Sequence, residues 1–357
     1  MLKIFYACDF SLNKSSGKNR ATRQKLDALS AKADVDLSIF SVKVDTFSIF
    51  SVLKNEILLI FKIHKNNPDV LITRGVSGVL VTLFRKYFKV KLVREVHAAG
   101  LEELKLLPFK GIKKWLAYIK LRVSLFLDCK ASLRIFNHPN LMNWYLSNYR
   151  IKGASSFVYN GFDPSSKSLI DRSEARERFN FSTTTRYLVF TGAASKWHGV
   201  NFLVKLQRCF NENGDDIRIV CGGGTMAPYD PEELCINFTP LDDAGCADLI
   251  RAGDACLLPV ANVRISPGSP LKLYDYILNE RPVIAQSDQI GYSDEVELFN
   301  IGIVTDFEDP QSTRQKIIEY LDHEHRANAG GGYPVCNVSW SDRMDEWLDI
   351  ILIEVGR

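Results

Sequence analysis

The sequence has no large excess of positive or negative charge, and it has no long apolar run. Its 45 lysine and arginine residues outnumber its 42 aspartate and glutamate residues by only three, so bulk charge does not favour a nucleic-acid-binding protein. No apolar run approaches the roughly 18 residues of a membrane-spanning helix. Residues 1–7 are predicted to form a strand rather than a signal peptide, because a long apolar core and a cleavage site of small residues are missing.

Clustered metal ligands are missing as well. The eight cysteines are scattered without a Cys-x-x-Cys pair, which favours reduced, buried thiols and a cytoplasmic protein. Zinc-type Cys/His spacing and the Gly-x-x-x-x-Gly-Lys-Ser/Thr phosphate loop are also absent. Asp34 and Asp36 have the spacing of paired metal-binding carboxylates, but their position at the start of a predicted strand favours a surface turn. We therefore expect neither a metal nor another cofactor.

Short β-type segments that alternate with helical segments are present throughout the chain. The 357 residues, 46% of them apolar, are enough for two domains with real cores. This alternation predicts an α/β fold of parallel, doubly wound sheets. The predicted strands are 3–7, 36–42, 69–73, 91–96, 132–136, 156–159, 186–191, 217–221, 235–238, 255–258, 283–285 and 302–304.

A cluster of turn-forming residues near position 160 predicts a boundary between domains. It reads Asn-Gly-Phe-Asp-Pro-Ser-Ser over residues 160–166. We therefore predict a first domain over residues 1–163 and a second over residues 164–340. An amphipathic helix at 341–357 is expected to pack back on the first domain, and the glycines at 330–332 are the most flexible point near the end.

The segment at 266–277, which is predicted to open a helix with Pro270 in its first turn, is the most informative one. Gly268 lets a ligand approach the backbone closely, and Pro270 suits the first turn of a helix. The N–H groups of Leu271 and Lys272 would then form an anion site at the positive end of the helix dipole. Asp275 follows about one turn later, where its carboxylate could accept hydrogen bonds from hydroxyl groups. This combination suggests a nucleotide diphosphate attached to a sugar.

Four motifs in order resemble those of the retaining glycosyltransferases of the GT-B fold, in particular glycosyltransferase family 4. The resemblance covers most of the chain and is strongest between residues 159 and 295. Each motif alone is weak evidence for the family, and the resemblance depends on the order and spacing of all four. The motifs are Tyr159-Asn-Gly-Phe-Asp163, the Trp-His-Gly loop at 191–200, Ser269-Pro-Leu-Lys-Leu-Tyr-Asp275, and Arg281-Pro-Val-Ile-Ala285.

The resemblance implies two Rossmann-like domains that face one another across a cleft. The second domain would bind the nucleotide-sugar donor, UDP- or GDP-linked, and the first would bind the acceptor. The sugar would move with retention at the anomeric carbon, without a divalent metal. The departing diphosphate would help to deprotonate the acceptor hydroxyl, while cations and helix N-termini of the protein stabilise its charge.

The resemblance also assigns roles to individual residues. Asp275 stands at the second acid of the family's E-x7-E pair and would hold the ribose. Glu95 and His97 resemble an E-x-H motif that faces the transferred sugar or the acceptor, and with Lys272 they are the candidate catalytic residues. The donor-binding candidates are Gly192, His198, Gly199, Thr239, Leu241, Arg264, Gly268, Ser269, Pro270, Leu271, Lys272 and Asp275, and Ser16 and Gly17 lie on the acceptor side.

The chain departs from the family pattern at three positions. Pro267 replaces the first acid of E-x7-E, which leaves recognition of the transferred sugar open. Ala193 and His198 replace the usual arginine and lysine. Lys272 is the best candidate for the missing cation because it lies on the phosphate loop, with Lys196 and Arg264 as the other candidates.

Several local interpretations stay open at this point. His97 is either a ligand contact or a satisfied structural histidine. His198 is either a phosphate contact or a loop-packing residue. Gly222-Gly-Gly224 is either a turn after a strand or a flexible segment near the donor.

The basic and apolar stretch at 105–134 has two interpretations. It is either a solvated helix over a packed core or a surface that binds an anionic membrane at the inner face of the plasma membrane. The family often uses lipid-linked acceptors there.

The resulting functional expectation is a hexosyltransferase-type glycosyltransferase of surface polysaccharide biosynthesis with a glycan or lipid-linked acceptor. Two alternatives remain. One is a catalytically weak nucleotide-sugar-binding partner subunit, which the three departures motivate. The other is a GT-B-fold epimerase or hydrolase of nucleotide sugars.

Overall fold

Two parallel six-stranded sheets form the framework of the protein. The structure, a computed structural model, describes residues 1–13, 16–42, 49–107, 109–194, 198–261, 267–288, 290–327 and 338–356, with the side chains at 49 and 324–327 left out. The chain divides into two compact units. Unit 1 comprises Met1–Gly161, Ile265–Ser269 and Val338–Arg357, and unit 2 comprises Phe162–Arg264 and Pro270–Asn337.

Unit 1 contains the first sheet, whose strand order is β2-β1-β3-β4-β5-β6 with parallel pairing throughout. Its strands are β1 Leu2–Cys8, β2 Val35–Ser41, β3 Val70–Arg74, β4 Lys91–Val96, β5 Leu133–Phe136 and β6 Ala154–Phe157. Its helices are α1 Gly17–Ser30, α2 Ile49–Asn66, α3 Val79–Leu83, α4 Gly100–Leu106, α5 Gly111–Lys130, α6 Pro139–Asn148 and α13 Trp340–Val355.

The two faces of the first sheet are covered by different helices. Side chains alternate between faces along a strand, and in β1 Ile4 and Tyr6 pack with residues of α1 and α13. Phe5 and Ala7 point the other way and pack with residues of α2 and α3. The last helix in the chain is therefore part of the core of unit 1.

The helical segment between β3 and β4 is broken in the structure. α3 ends at Leu83, and a separate 3-10 turn follows at Arg85–Tyr87. The buried carboxylate of Glu56 on α2 accepts hydrogen bonds from the backbone N–H groups of Gly78 and Leu80, at 2.7 and 2.9 Å. These bonds cap the first turn of α3 and fix it against α2.

Unit 2 contains the second sheet, whose strand order is β12-β11-β10-β7-β8-β9, again parallel throughout. Its strands are β7 Arg186–Gly192, β8 Ile217–Gly223, β9 Ile236–Phe238, β10 Ala255–Leu258, β11 Val283–Gln286 and β12 Gly302–Thr305. Its helices are α7 Arg172–Arg178, α8 Val200–Glu212, α9 Asp243–Ala252, α10 Leu271–Leu278, α11 Asp294–Leu298 and α12 Pro310–Ala327.

The predicted α/β class with two Rossmann-like sheets is confirmed, and most predicted strands lie within two residues of the observed ones. β6 is displaced: it covers Ala154–Phe157 rather than 156–159, so Tyr159 lies in the following loop. The compact units divide after Gly161, two residues before the predicted boundary. In the described ranges, none of the helices combines the length and apolar character needed to cross a membrane.

Candidate functional site

The strand order of unit 2 marks the place where a ligand is expected. The chain proceeds from β7 outward to β8 and β9, then returns to β10 on the other side of β7. Ligands of open α/β sheets bind at such a switch point, outside the carboxyl ends of the strands. Gly192 ends β7 there, and α10 follows β10.

Lys272, in the first turn of α10, lies beside the end of β7. Its ammonium nitrogen is 4.0 Å from the centroid of the Phe190 ring, an arrangement in which the ring stabilises the cation. A Cβ atom at Gly192 would lie 3.5 Å from the same nitrogen, and the backbone of Gly192 has a φ of +121°. Glycine at 192 therefore both permits this conformation and keeps a side chain away from Lys272.

Glycines also allow the ends of β7 and β8 to approach closely. Gly192 and Gly223 are paired in the sheet, and the N–H of Gly224 donates to the carbonyl of Gly192 at 3.2 Å. A Cβ at Gly224 would lie 2.9 Å from the Cα of Ala193. β8 includes the first two glycines of the Gly222-Gly-Gly224 run. The turn after the strand therefore begins at Gly224 and not at Gly222.

Tyr276 holds α10 against the sheet. Its hydroxyl accepts a hydrogen bond from the N–H of Thr191 at 3.2 Å and donates to the carbonyl of Leu257 at 3.3 Å. The ring is completely buried. These bonds connect α10 to β7 and β10, so the first turn of the helix is fixed relative to the switch point.

The predicted start of α10 is wrong by one residue. Pro270 is the N-cap, with an extended backbone, and α10 begins at Leu271. No side chain caps this helix end, and Gly268, Ser269 and Pro270 just before it are buried. Asp275 lies almost one turn after Lys272 and is half-buried. The segment thus has the helix-terminus geometry that the sequence predicts for an anion site.

Other predicted donor-side residues surround the ends of β7 to β9. Thr239 follows β9 and donates from its hydroxyl to the carbonyl of Gly223 at 3.3 Å. Leu241 lies next to Gly222, where its side chain would be 3.2 Å from an added Cβ. Gly199, with φ +63°, is the N-cap of α8. The Nδ1 atom of His198 is 2.6 Å from the carbonyl oxygen of Ala193, so this nitrogen carries the proton. The hydrogen bond connects the two ends of the loop between β7 and α8.

Glu95 in unit 1 is the centre of a buried ionic cluster. It is 3% exposed and contacts Lys25 and His97 through Oε1, while the hydroxyl of Tyr6 donates to Oε2 at 2.6 Å. The guanidinium of Arg74 lies 3.6 Å from Oε1. Both carboxylate oxygens of Glu95 therefore have partners in the protein, and Oε1 positions His97.

The electrostatics of the cluster fix its protonation states. Burial would raise the pKa of Glu95, but Lys25, Arg74 and His97 outweigh burial and hold that pKa well below its usual value. Burial, assisted by Arg74, lowers the pKa of His97 to about 4. Burial likewise lowers the pKa of Lys25 to about 8, although Glu95 opposes this. At neutral pH the ionised Glu95 can only accept, so neutral His97 donates from Nε2 and keeps Nδ1 as an acceptor.

The predicted acceptor-side residues Ser16 and Gly17 form the start of α1. The hydroxyl of Ser16 accepts from the N–H of Asn19 at 3.2 Å, which is a helix N-cap. Gly17 is the first residue of the helix and is exposed. Asp9, which follows β1 at the switch point of this sheet and pairs with Lys120 at 2.6 Å, is a polar residue that the sequence analysis missed.

The partners Tyr6, Lys25 and Arg74 of the Glu95 cluster were also missed. They are distant from Glu95 in the chain, and each lies in an ordinary strand or amphipathic helix. The available signal was a lysine on the buried stripe of α1, since lysine is almost never fully buried unless paired. Arg264, Lys196 and the glycines at 330–332 lie outside the described residues. In the part of the chain that the structure describes, no group of three His, Cys, Asp or Glu residues could hold a metal ion.

No protein-family model matches the chain, and no curated protein is detectably similar to it in sequence. Solved structures are similar over almost the whole length. Sucrose-phosphate synthase of Thermosynechococcus elongatus is 14% identical, with 98% of each chain covered and a TM-score of 0.73. HepE of Anabaena, solved with UDP-glucose, is 15% identical, with 98% of this chain and 100% of that chain covered and a TM-score of 0.66.

A third similar structure is WaaG, a glycosyltransferase involved in lipopolysaccharide biosynthesis. It is 12% identical, covers 97% of this chain and 95% of its own, and has a TM-score of 0.64. This chain therefore has the GT-B fold. Identities this low show the fold alone, so the activity must be argued from the site.

Proposed function

We propose that the protein is a retaining glycosyltransferase of family 4 type that transfers a sugar from a nucleotide-diphosphate sugar. The observation that carries the proposal is Lys272 beside Gly192 at the switch point of unit 2. A cation, glycine backbone and an uncapped helix N-terminus converge there, which is the chemistry that binds a diphosphate. The similarity to HepE, which was solved with UDP-glucose, supports a UDP- or GDP-linked donor.

Each donor-side residue has a proposed task. The ammonium of Lys272 and the first-turn N–H groups of α10 stabilise the charge that develops on the departing diphosphate. Asp275 accepts hydrogen bonds from the ribose hydroxyls. Thr239 and Leu241 contact the base. The protein supplies this positive charge itself, so the proposed reaction needs no divalent metal.

The leaving diphosphate is proposed to take the proton of the acceptor hydroxyl as that oxygen attacks the same face of the sugar. The C–O bond to the acceptor forms, the bond to the diphosphate breaks, and the configuration is retained. On the acceptor side His97 presents a neutral imidazole, which can accept a hydrogen bond from a sugar hydroxyl but carries no charge at neutral pH.

Calorimetric titration with UDP, GDP, ADP and their sugars tests the donor site. One of them should bind with a Kd below millimolar. Asp275→Ala should weaken that binding by about 1–3 kcal/mol through lost charged hydrogen bonds. The matched control is Glu212→Ala, an exposed acid on α8 of the same unit, which should change nothing. Absence of binding by every nucleotide would reject the donor site.

Product analysis separates the transferase from the other activities of the same fold. Turnover of the donor should require an acceptor, and NMR of the product should show the anomeric configuration of the donor. Donor hydrolysis or epimerisation at the same rate without an acceptor would instead identify a nucleotide-sugar hydrolase or epimerase.

We further propose that the acceptor is a glycan or lipid-linked intermediate of surface polysaccharide, reached at the cytoplasmic face of a membrane. The helices α2, α3 and α5 lie side by side. These helices and the 3-10 turn that follows α3 expose large apolar side chains. Phe50 is 86% exposed, Tyr87 84% and Ile112 72%. Lysines 110, 113 and 114 are exposed near Ile112. Apolar side chains among lysines match an anionic lipid surface.

Co-sedimentation with vesicles tests this partner. Binding to vesicles rich in phosphatidylglycerol should exceed binding to phosphatidylcholine vesicles and should weaken as salt rises. The double change Lys113→Gln and Lys114→Gln should lower the partition by about tenfold or more, since each lysine contributes about 1 kcal/mol. Lys205→Gln, at an exposed lysine of unit 2, is the control. Equal binding to both vesicle types would contradict an electrostatic membrane contact.

A further inference from the structure

A narrow pocket in unit 1 lies at the carboxyl ends of β5 and β6, beneath α13. Its lining includes Asn137, Tyr159, Trp340 and Trp347, together with His97 of the ionic cluster. The space inside is about the size of one water molecule or one hydroxyl group.

Two polar atoms at this pocket have no hydrogen-bond partner among the described residues: Oδ1 of Asn137 and Nε1 of Trp340. Asn137 is 7% exposed and Trp340 4% exposed. Buried polar atoms are nearly always hydrogen-bonded in folded proteins, because an unmade bond costs about 1–3 kcal/mol. The buried acceptor and the buried donor belong to residues that line the same small space, and a single group that both donates and accepts could satisfy both of them.

The first turn of α13 is rigidly held, so the indole of Trp340 is fixed in place. Ser339 and Asp342 form a capping box at its start. Arg343 donates to the carbonyl of Asn160 at 3.1 Å. A Cβ at Gly161 would lie 3.0 Å from the backbone nitrogen of Trp340, so a side chain there would crowd the start of α13. The position of the indole N–H is thus set before any ligand arrives.

A hydroxyl group donates and accepts at once, and a sugar carries it on a ring with an apolar face. The lining of the same pocket includes the aromatic rings of Phe136, Tyr159, Trp340 and Trp347. Lys25, whose ammonium lies 4.7 Å from the Trp347 ring centroid, is already neutralised by Glu95. The lining therefore favours a neutral ligand over an anion.

We infer that this pocket binds one hydroxyl group of a carbohydrate, which donates to Asn137 and accepts from Trp340. The inference rests on the proposed function, since it adds a recognition point for the acceptor or the transferred sugar. It also gives the helix α13 a direct part in ligand binding.

The test compares sugar binding in Trp340→Phe and Asn137→Leu with wild type. Both changes remove the polar atom and keep an apolar filling. The full-length protein is titrated with methyl α-D-glucopyranoside, methyl β-D-galactopyranoside and methyl α-D-mannopyranoside, and binding is followed by saturation-transfer NMR. At least one glycoside should bind about tenfold more weakly to each variant. Trp144→Phe, on α6 and outside the pocket lining, is the control and should bind as wild type.

Stability measurements distinguish a sugar site from a site for a structural water. Trp340→Phe removes buried ring volume and lowers the unfolding midpoint in either case. Asn137→Leu leaves no cavity, so its midpoint should be unchanged or raised if Oδ1 lacks a partner in the free protein. A lowered midpoint of Asn137→Leu with unchanged glycoside binding would mean a permanently bound water and would overturn the inference.

Nucleotide binding in the same variants separates this inference from the proposed function. UDP that binds to wild type should bind equally to Trp340→Phe. If UDP binds but no glycoside does, the pocket assignment fails and the donor site stands. If a glycoside binds but no nucleotide does, the pocket stands and the glycosyltransferase proposal fails.

Discussion

The two units contain similar parallel sheets but use charge in opposite ways at their carboxyl edges. In unit 1, Glu95 is enclosed by Lys25, Arg74, His97 and Tyr6, so the charge of this carboxylate is compensated within the protein. In unit 2, glycines 192, 223 and 224 bring bare backbone to the edge, with Lys272 beside them. A compensated edge suits a neutral ligand, whereas a glycine edge with a cation and a helix N-terminus suits an anion.

The surfaces of the units differ as well. Among the described residues, 13 large apolar side chains with more than a third of their surface exposed lie between Phe50 and Phe126 of unit 1. Unit 2 has three: Leu169, Ile236 and Leu298. The sheet topology does not require this difference, which is the basis of the membrane contact that we propose for unit 1.

The largest expected effect concerns the stability of unit 1. Glu95→Gln removes the charge that compensates Lys25 and Arg74 and should lower the free energy of unfolding by about 3–5 kcal/mol, because a buried cation is left without its counter-ion. Urea denaturation followed by circular dichroism measures this. Glu102→Gln, whose partner Lys105 is largely exposed, should cost less than about 1 kcal/mol. Equal losses of unfolding free energy in the two variants would contradict the conclusion that Glu95 stabilises unit 1 more than a surface ion pair does.

The second effect concerns ligand binding in unit 2. Lys272→Met should lower the affinity for the nucleotide that binds wild type by roughly 10- to 100-fold, the range for a lost hydrogen bond to a charged group. Lys205→Met supplies a control on the exposed face of α8. Calorimetric titration measures the Kd of both variants. An unchanged Kd for Lys272→Met would show that another cation binds the phosphates.

The smallest effect is a pH dependence confined to unit 1. The pKa of His97 is lowered from 6.5 to about 4, so the folded state favours the neutral ring. The resulting stability is fully present above about pH 6.5 and is lost as the pH falls toward 4. We expect a loss on the order of 1–2 kcal/mol between pH 6.5 and 4.5, because the side chain is a quarter exposed and partly screened.

His97→Gln should remove that loss from the unfolding curves, while His323→Gln, at an exposed residue of α12, should retain it. A wild-type curve that stays flat over this interval would mean that His97 titrates as it does in the unfolded chain.

The features that could be predicted from the sequence are those that depend on residues close together in the chain. Alternating strands and helices define the two sheets, and Lys272 was located because a loop, a helix start and a lysine are contiguous. The start of α10 was one residue off because proline is compatible with both the N-cap and the first turn. Features that depend on distant residues were not predicted: Lys25 and Glu95 are 70 positions apart, and Asn137 and Trp340 are farther still. The hydrophobic periodicity of a helix indicates which face is buried, but it does not indicate which polar residue of another element contacts that face.

The return of α13 to unit 1 has a consequence for the order in which the protein matures. During synthesis, β1 to β6 leave the ribosome well before Trp340 and Trp347 do, and unit 2 is made between them. Until those tryptophans emerge, the core around Tyr6 and Lys25 lacks its cover. The first unit to be translated is therefore the last to be completed. A nascent chain that stalls between residues 305 and 340 has made the strands of both sheets without the closed pocket.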